Sequence, residues 1–399
     1  MRLRSLAHYA CIFCLAGPAL AQTAHSRPEV LGAADASAST HFSVFLPLTN
    51  QAAMNQLMLD QVDPTSPSYH KWLTPSQFKA QFGPKAADMA KAKRALEAAG
   101  LTVTAEHTQS LEVSGPVSAV EHLFSTRLQQ VQLEKGSLKF AAQDHKLTLP
   151  AELASVGAVV PAFNPSLMAH VHSHRLTTAG AVGPLAAGGG SVNQRLSSAD
   201  SWFYPDDMNE AYDFPSFTTS IAPGGTGPAK QVVGLGATIG IVISSAISQA
   251  DINDAFNSTV TAGSAQSVQS YSTQTSLPVP VVTIETVDGG SGAFNKNADA
   301  AGEASLDTQM SLGTAPGAKE ILYDIPDLTD QSIVDAYTQV NEDNKVDVVS
   351  SSFGECELDY TAAANGGTDY TYILQTFHSL FAQGNMQGIT FLASSGDNG

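Results

Sequence analysis

In the second half of the chain, short apolar runs alternate with amphipathic segments. Residues 238–244 are almost continuously apolar, as in a strand that is buried on both faces, and residues 318–325 form a second strand-like run. Segments 297–312 and 370–383 have the composition and spacing of helices. Because strands that alternate with helices usually pair in parallel, this half predicts an α/β domain with a mainly parallel sheet. Further strands are predicted at 280–287, 346–352 and 388–393, and further helices at 205–212, 249–256 and 332–341.

The first half has a different pattern, in which short strands and helices follow one another without regular alternation. We predict a compact α+β unit from this order. Residues 22–40 are small and polar, so we expect them to lack regular structure. The predicted strands are 41–46, 101–107, 110–113, 126–133 and 138–145, and the predicted helices are 48–61, 84–99 and 117–124.

The chain begins with a segment typical of a secretory signal peptide. Arg2 and Arg4 precede an apolar stretch at 6–15, which is too short to cross a bilayer. Small residues then predict cleavage near Ala21 and secretion. The predicted boundaries are a signal peptide at 1–21, an α+β domain at 22–170, a Gly-rich linker at 171–200 and an α/β domain at 201–399.

The charge is distributed unevenly and limits the possible partners. The net charge is −18, and residues 201–399 contain 24 acidic residues but only four lysines. Such a surface is a poor ligand for phosphates, so we expect no nucleic-acid partner. We also expect no membrane partner, because no other apolar stretch is long enough to span a bilayer. An acidic surface repels itself less when its carboxylates are protonated, which suits an acidic medium.

One pair of carboxylates is the main candidate for chemistry. Glu303 and Asp307 are four residues apart, so a helix at 297–312 places both on one face. Acidic residues at this spacing usually form only a solvated surface. Serines 350–352 and the segment 394–397 follow predicted strands, and in parallel sheets functional groups gather at the carboxyl ends of the strands.

Several short segments, in this order along the chain, resemble the sedolisin family, the serine-carboxyl peptidases with a propeptide. Segments 66–74 and 78–84 are similar to the activation domain of that family, and 204–212 is similar to the start of its mature enzyme. Segment 303–307 followed by 315–318 resembles its catalytic helix. Segment 348–354, with Phe353 where tryptophan is common, resembles its substrate-lining strand, and 393–399 resembles the segment that carries its oxyanion aspartate.

The resemblance implies a propeptide domain followed by a subtilisin-like α/β domain and acid-active endopeptidase chemistry. By this resemblance Glu303 is the general base for a nucleophilic serine, Asp307 holds Glu303, and Asp397 is the oxyanion donor. Protein or peptide substrates and the chain's own propeptide, as an intramolecular inhibitor, are the implied partners. The implied substrate-binding residues are Ser350, Ser351, Ser352, Phe353 and Gly354.

The sequence departs from the family pattern at its end. The nucleophilic serine of the family lies in a Gly-Gly-Thr-Ser segment after the Ser-Gly-Asp motif, and its calcium site lies later still. The similar string at 366–369 has aspartate in place of serine and precedes Asp397. No serine of this chain is therefore assigned as the nucleophile. We expect an inactive fragment without metal, with the C-terminal part of the domain missing, and calcium only in the full-length family member.

Other interpretations remain open at this point. A histidine-based subtilisin relative would need a catalytic histidine, but His378, within a predicted helix, is the only histidine in 201–399. An aspartic peptidase would need two Asp-Thr/Ser-Gly loops, which are absent. The alternative in a different class is a non-enzymatic secreted, propeptide-like module that binds or inhibits a peptidase. Cys356 is the only cysteine outside the signal segment, so we expect no disulfide framework and a partly buried thiol.

Overall fold

The computed structural model describes most of the chain. The described residues are 29–132, 139–164, 169–171, 212–215, 220–221, 230–256, 279–292 and 298–395. The predicted signal peptide, most of the helix predicted at 205–212, the linker after Val171 and Asp397 lie outside these residues. The domain boundaries and the cleavage near Ala21 therefore stay predictions.

The N-terminal unit is α+β, as the sequence predicts. Its two antiparallel sheets have the strand orders β2-β4-β3 and β1-β5-β6. Helix α3 buries Met89, Ala92 and Leu96 at helical spacing, and they join Phe42 and Val44 of β2 in one core. The strands are β1 (Glu29–Ala33), β2 (Ser39–Phe45), β3 (Thr102–Glu106), β4 (Ser110–Pro116), β5 (Leu128–Gln132) and β6 (Lys139–Gln143); the helices are α1 (Gln51–Val62), α2 (Pro75–Phe82), α3 (Ala86–Ala98), α4 (Val117–Phe124) and α5 (Ala151–Ala154).

Strand β1 corrects one prediction, because it lies in the segment that we expected to be irregular. All five of its residues are exposed, so the segment has no apolar alternation that would indicate a strand. Its stability comes from the antiparallel ladder with β5, in which Glu29 pairs with Gln132 and Ala33 with Gln129. This pairing depends on a strand far along the chain, so the sequence of the β1 segment alone does not indicate it.

The second unit is built on the predicted parallel sheet. In the described residues this sheet has five strands in the order β11-β12-β10-β13-β15, and every pair in it is parallel. Its strands and flanking helices share a core that includes Ile241, Leu322 and Val340. The remaining strands are β7 (His170–Val171), β8 (Ser220–Ile221), β9 (Lys230–Gln231), β10 (Thr238–Ile243), β11 (Val282–Thr286), β12 (Lys319–Asp324), β13 (Val348–Ser351), β14 (Phe353–Gly354) and β15 (Thr390–Ala393); the helices are α6 (Gln249–Phe256), α7 (Ala298–Thr314), α8 (Asp330–Asp343) and α9 (Thr371–Met386).

The N-terminal unit packs against α8 and α9 of the second unit. Ser43 Oγ donates a 2.6 Å hydrogen bond to Asp335 Oδ1 in a buried position, and the amide of Thr108 donates to Glu342 Oε1 at 2.7 Å. Next to these polar contacts, Phe78 of α2 and Met386 of α9 belong to one apolar cluster. The two units are therefore joined by a buried surface of mixed character. No helix among the described residues has the length and apolar character needed to cross a bilayer.

Candidate active site

Helix α7 carries the predicted carboxylate pair, close to the bounds expected from the sequence. Its alanines explain its position, because Ala300 and Ala304 are fully buried and allow the helix to lie close against the sheet. Leu306 on the opposite side is half exposed. Glu303 is only 6% exposed, so this carboxylate is not part of a solvated surface. Glu303 therefore lies in the interior of the domain, and Asp307, one turn further along the helix, is partly buried.

The serines that follow β13 bring a hydroxyl to this pair. Ser352, between β13 and β14, donates a hydrogen bond of 2.7 Å from its Oγ to Asp307 Oδ1. Ser351 turns to α8 instead, where its hydroxyl and that of Tyr337 share a buried hydrogen bond of 2.8 Å. Ser350 lies in the parallel ladder, opposite Ile241 of β10 and Leu392 of β15. Of these three serines, Ser352 is the one that contacts the carboxylate pair.

The electrostatics of the pair favour a shared proton. Burial raises the pKa of Asp307 to about 7; the hydrogen bond from Ser352 opposes this shift, and the charge of Glu303 adds to it. Within the described residues, Glu303 Oε2 and Asp307 Oδ2 are buried and have no hydrogen-bond partner. Two buried carboxylates with free oxygens cannot both be ionised at low cost, so a proton on one of them stabilises the arrangement.

A third buried carboxylate, Glu320, lies behind this pair, and the sequence analysis did not single it out. It belongs to β12 and is 1% exposed. Ser311 of α7 donates a 2.6 Å hydrogen bond to Glu320 Oε2. Burial raises the pKa of Glu320 to about 7, with Ser311 and Thr308 opposing the shift and Asp307 adding to it. The sequence contains little signal for it, because Glu320 is one of three charged residues, with Lys319 and Asp324, in the strand-like run 318–325.

A strand from the start of the predicted linker lies beside the segment that is predicted to line the substrate site. Strand β7 pairs antiparallel with β14, so that Val171 is opposite Phe353 and His170 is opposite Gly354. The amide of Ala169 donates to the carbonyl of Leu328 at 3.0 Å and extends the contact. Val171, which was assigned to an irregular linker, is therefore in a strand. An extended peptide added to a strand edge in this way is a common mode of peptide recognition.

The last described residues lie next to the carboxyl end of β13, where the three serines are. Strand β15 pairs with β13, and the amide of Ser394 donates to the carbonyl of Ser351 at 3.1 Å. Residues 394–395 thus leave the sheet beside the serine segment. Asp397 lies outside the described residues, and its predicted role as oxyanion donor stays a prediction.

Among the described residues, one cluster of three side chains contains enough possible ligands to hold a metal ion. His41, Asp288 and Asp335 bring ligand atoms within 4.8 Å of one another where the two units meet. Calcium takes six to eight oxygen ligands, so this set with a histidine nitrogen does not fit calcium. The calcium expectation stays a prediction. Cys356 is exposed rather than partly buried, which corrects the expectation for its thiol.

Comparison with known proteins agrees with this organisation. Residues 27–164 match the family model described as the pro-kumamolisin activation domain. Xanthomonalisin of Xanthomonas sp. (strain T-22) is 28% identical over 391 residues, covering 93% of this chain and 41% of that protein. Sedolisin of Pseudomonas sp. (strain 101) is 27% identical, covering 91% and 55%, and kumamolisin of Bacillus sp. (strain MN-32) is 25% identical, covering 81% and 50%.

Among solved structures, Pseudomonas sedolisin, a serine-carboxyl proteinase complexed with two molecules of pseudo-iodotyrostatin, matches with 25% identity and a TM-score of 0.31. That match covers 49% of this chain and 45% of the sedolisin chain. The chain spans about half the length of the curated relatives that it matches. The chain is therefore similar to the pro-kumamolisin activation domain over residues 27–164, and to xanthomonalisin, sedolisin and kumamolisin over most of its length.

Proposed function

We propose that this chain belongs to the secreted precursor of an acid-active serine-carboxyl endopeptidase. The observation that carries the proposal is the buried pair Glu303 and Asp307, which Ser352 joins by a hydrogen bond to the strand edge where a peptide segment is paired. A surface acidic pair would not need this burial or this neighbour. The relatives belong to a peptidase family, so peptide substrates follow as the proposed substrate class.

In this proposal Glu303 is the general base. It takes the proton from the hydroxyl of a nucleophilic serine as the serine oxygen attacks the substrate carbonyl, and it returns that proton to the leaving amine. Asp307 holds Glu303 in place, and Asp397 donates a hydrogen bond to the oxyanion. No serine of this chain is assigned as the nucleophile, and the chain spans about half the length of the relatives that it matches, so the activity is proposed for the whole protein and not for residues 1–399.

The proposed pH dependence follows from the protonation states. With a pKa of about 7, Asp307 is protonated in acid, and it can then donate a hydrogen bond toward Glu303. A carboxylate base also stays functional at pH values where histidine would be charged. As pH rises through 7, Asp307 loses its proton and two like charges face each other in the interior. We therefore propose activity in acid that declines toward neutral pH.

The N-terminal unit is proposed to keep the precursor inactive. Its contacts with α8 and α9 are buried, and the segment that follows it pairs with β14 in the manner of a bound peptide. We propose that the linker at 171–200 is the processing region, and that cleavage there separates the two units. Secretion and a calcium site belong to the same proposal and rest on the family resemblance.

The test uses the naturally produced protein and its variants in a peptide-hydrolysis assay at about pH 4, where carboxylates begin to protonate. Glu303→Gln should lower kcat/KM by at least about a thousandfold, because the amide cannot accept the proton. The control is Glu285→Gln on β11, a partly exposed residue that contacts Lys345 at 3.4 Å; we expect it to retain activity.

Two results would contradict the proposal. One is hydrolysis by Glu303→Gln at the rate of the control, which would remove Glu303 as the base. The other is a wild-type protein that binds a related peptidase but hydrolyses no peptide between pH 3 and 8. That second result would favour the binding-module interpretation.

A further inference from the structure

Three possible metal ligands meet where the N-terminal unit packs against the second unit. His41 lies on β2, Asp288 follows β11, and Asp335 is in α8. His41 Nε2 is 3.8 Å from Asp288 Oδ2, and one ligand atom from each of the three residues lies within 4.8 Å of the others. Ser43 is two residues after His41 on the same face of β2, and its hydrogen bond to Asp335 holds that face against α8. The contact between the units therefore brings the three side chains together.

The two carboxylates of this cluster have no fixed cation beside them. Asp288 Oδ2, the oxygen that faces His41, is buried and has no hydrogen-bond partner among the described residues. Asp335 is only 9% exposed. Buried carboxylates usually pair with a cation or bind a metal ion. In the metal-free protein, burial and the charge of Asp288 raise the pKa of Asp335, so that a proton offsets the repulsion between the two groups.

We propose that His41, Asp288 and Asp335 form a binding site for a divalent transition-metal ion of the Zn²⁺ class, which joins the N-terminal unit to the second unit. The ion neutralises the two carboxylates and ties β2 to α8. The site does not depend on the proposed peptidase activity, because its ligands are separate from Glu303 and Asp307.

The distances between the ligand atoms suit such an ion. Zinc holds nitrogen and oxygen ligands at about 2.0–2.2 Å, so two ligands of a tetrahedral site are about 3.4 Å apart. The separation of 3.8 Å between His41 Nε2 and Asp288 Oδ2 is only slightly larger, and small rotations of the side chains close the difference. An imidazole together with carboxylates favours a transition metal, whereas calcium and magnesium prefer sites made of oxygen alone.

Neighbouring groups already orient Asp335 as a ligand. Its Oδ1 accepts a 2.6 Å hydrogen bond from Ser43, and its Oδ2 accepts one from Gln331 Nε2. Each carboxylate oxygen keeps a further lone pair for a metal ion, and outer contacts of this kind fix the orientation of metal ligands. The side chain of His41 is 44% exposed, so an ion can enter from solvent and a water molecule can take the fourth position.

Zinc binding to the full chain tests the site directly. The protein is first freed of metal with EDTA and then titrated with zinc chloride in a calorimeter at about pH 7.5, where histidine is mostly neutral and can bind. His41→Ala removes the nitrogen ligand at a partly exposed position, so it should cost little stability. We expect this variant to bind the ion at least about tenfold more weakly than wild type.

Asp288→Asn is a second variant that keeps the test valid if His41→Ala does not fold. Asp288 has a φ of 51°, in the left-handed region, which asparagine also tolerates. The amide of asparagine carries no charge to hold the ion. Zinc binding should therefore weaken at least about tenfold in this variant too.

His107→Ala is the matched control. His107 also faces a carboxylate, with 3.6 Å between its Nε2 and Glu112 Oε2, but it belongs to no group of three possible ligands within the described part of the chain. This variant should bind zinc as wild type does. Calcium chloride is the second control, and it should not compete with zinc for the site.

Thermal unfolding measures whether the ion stabilises the packed chain. A ligand that binds only the folded protein stabilises it, so saturating zinc chloride should raise the Tm of wild type by at least about 3 °C. This shift should be absent in His41→Ala and retained in His107→Ala.

Three results would overturn the inference. One is zinc binding of equal strength in wild type, His41→Ala and Asp288→Asn, which would mean that the ion binds elsewhere on the chain. Another is a wild-type protein that binds no zinc. The third is calcium that competes with zinc for the site as an equal, which would exclude a transition-metal site.

Discussion

At the scale of single residues, spacing predicted the pair but not its surroundings. The four-residue interval placed Glu303 and Asp307 on one helix face, and the structure has them there. Their burial depends on how α7 lies against the sheet, which spacing does not determine. Glu320 was missed for the same reason, since its partners Ser311 and Asp307 are on a different element. The exposure of Cys356 likewise depends on the turn in which it lies.

Asp307→Asn should change stability in a pH-dependent way. The pKa of Asp307 is raised from its ordinary value to about 7 by burial, so its stabilising contribution is fully present below about pH 4. It is lost as pH rises through 7, where the buried group must ionise. Asparagine does not ionise. We therefore expect the difference in free energy of unfolding, variant minus wild type, to be ~1–3 kcal/mol larger at pH 8 than at pH 4.

Urea unfolding at both pH values measures this difference. Glu285→Gln serves as the control and should show no such pH dependence. An Asp307→Asn variant whose free energy of unfolding differs from wild type by the same amount at pH 4 and pH 8 would contradict the raised pKa.

At the scale of elements, long periodic segments were predicted well and short or exposed ones were not. Helix α7 was predicted at 297–312 and strand β10 at 238–244, within two residues of the structure. The strand predicted at 346–352 ends at Ser351 and is followed by β14, because Phe353 and Gly354 pair with β7 instead. Helix α2 was missed, although its capping box has a sequence signature in Thr74, Pro75 and Gln77.

That capping box gives a prediction for α2. Thr74 Oγ1 accepts from the amide of Gln77, and Gln77 Oε1 accepts from the amide of Thr74 at 2.8 Å. Thr74→Ala removes the first of these bonds, so it should destabilise the N-terminal unit by ~1 kcal/mol. Thermal unfolding of the full chain measures the loss. Ser118→Ala, at an exposed position inside α4, is the control and should cost nothing. Equal stability of the two variants would contradict the capping role.

At the scale of the whole molecule, the sequence predicted two units and a parallel sheet, but not how the units meet. The contact depends on pairs such as Ser43 with Asp335, which are nearly three hundred residues apart. Burial and the neighbouring charge of Asp288 raise the pKa of Asp335 well above its ordinary value. A group with a raised pKa favours the packed state at low pH and loses that contribution as pH rises. Acid therefore does not weaken this contact through Asp335.

The measurement that tests the account most directly is the intact mass of the naturally produced protein before and after a shift to about pH 4, for wild type and for Glu303→Gln. The account predicts that acid removes the N-terminal unit of the wild type by cleavage within 171–200, and that Glu303→Gln keeps its mass. A wild-type mass that acid leaves unchanged would contradict the account. Equal loss from Glu303→Gln in the absence of other peptidases would also contradict it, because cleavage would then not depend on the proposed base.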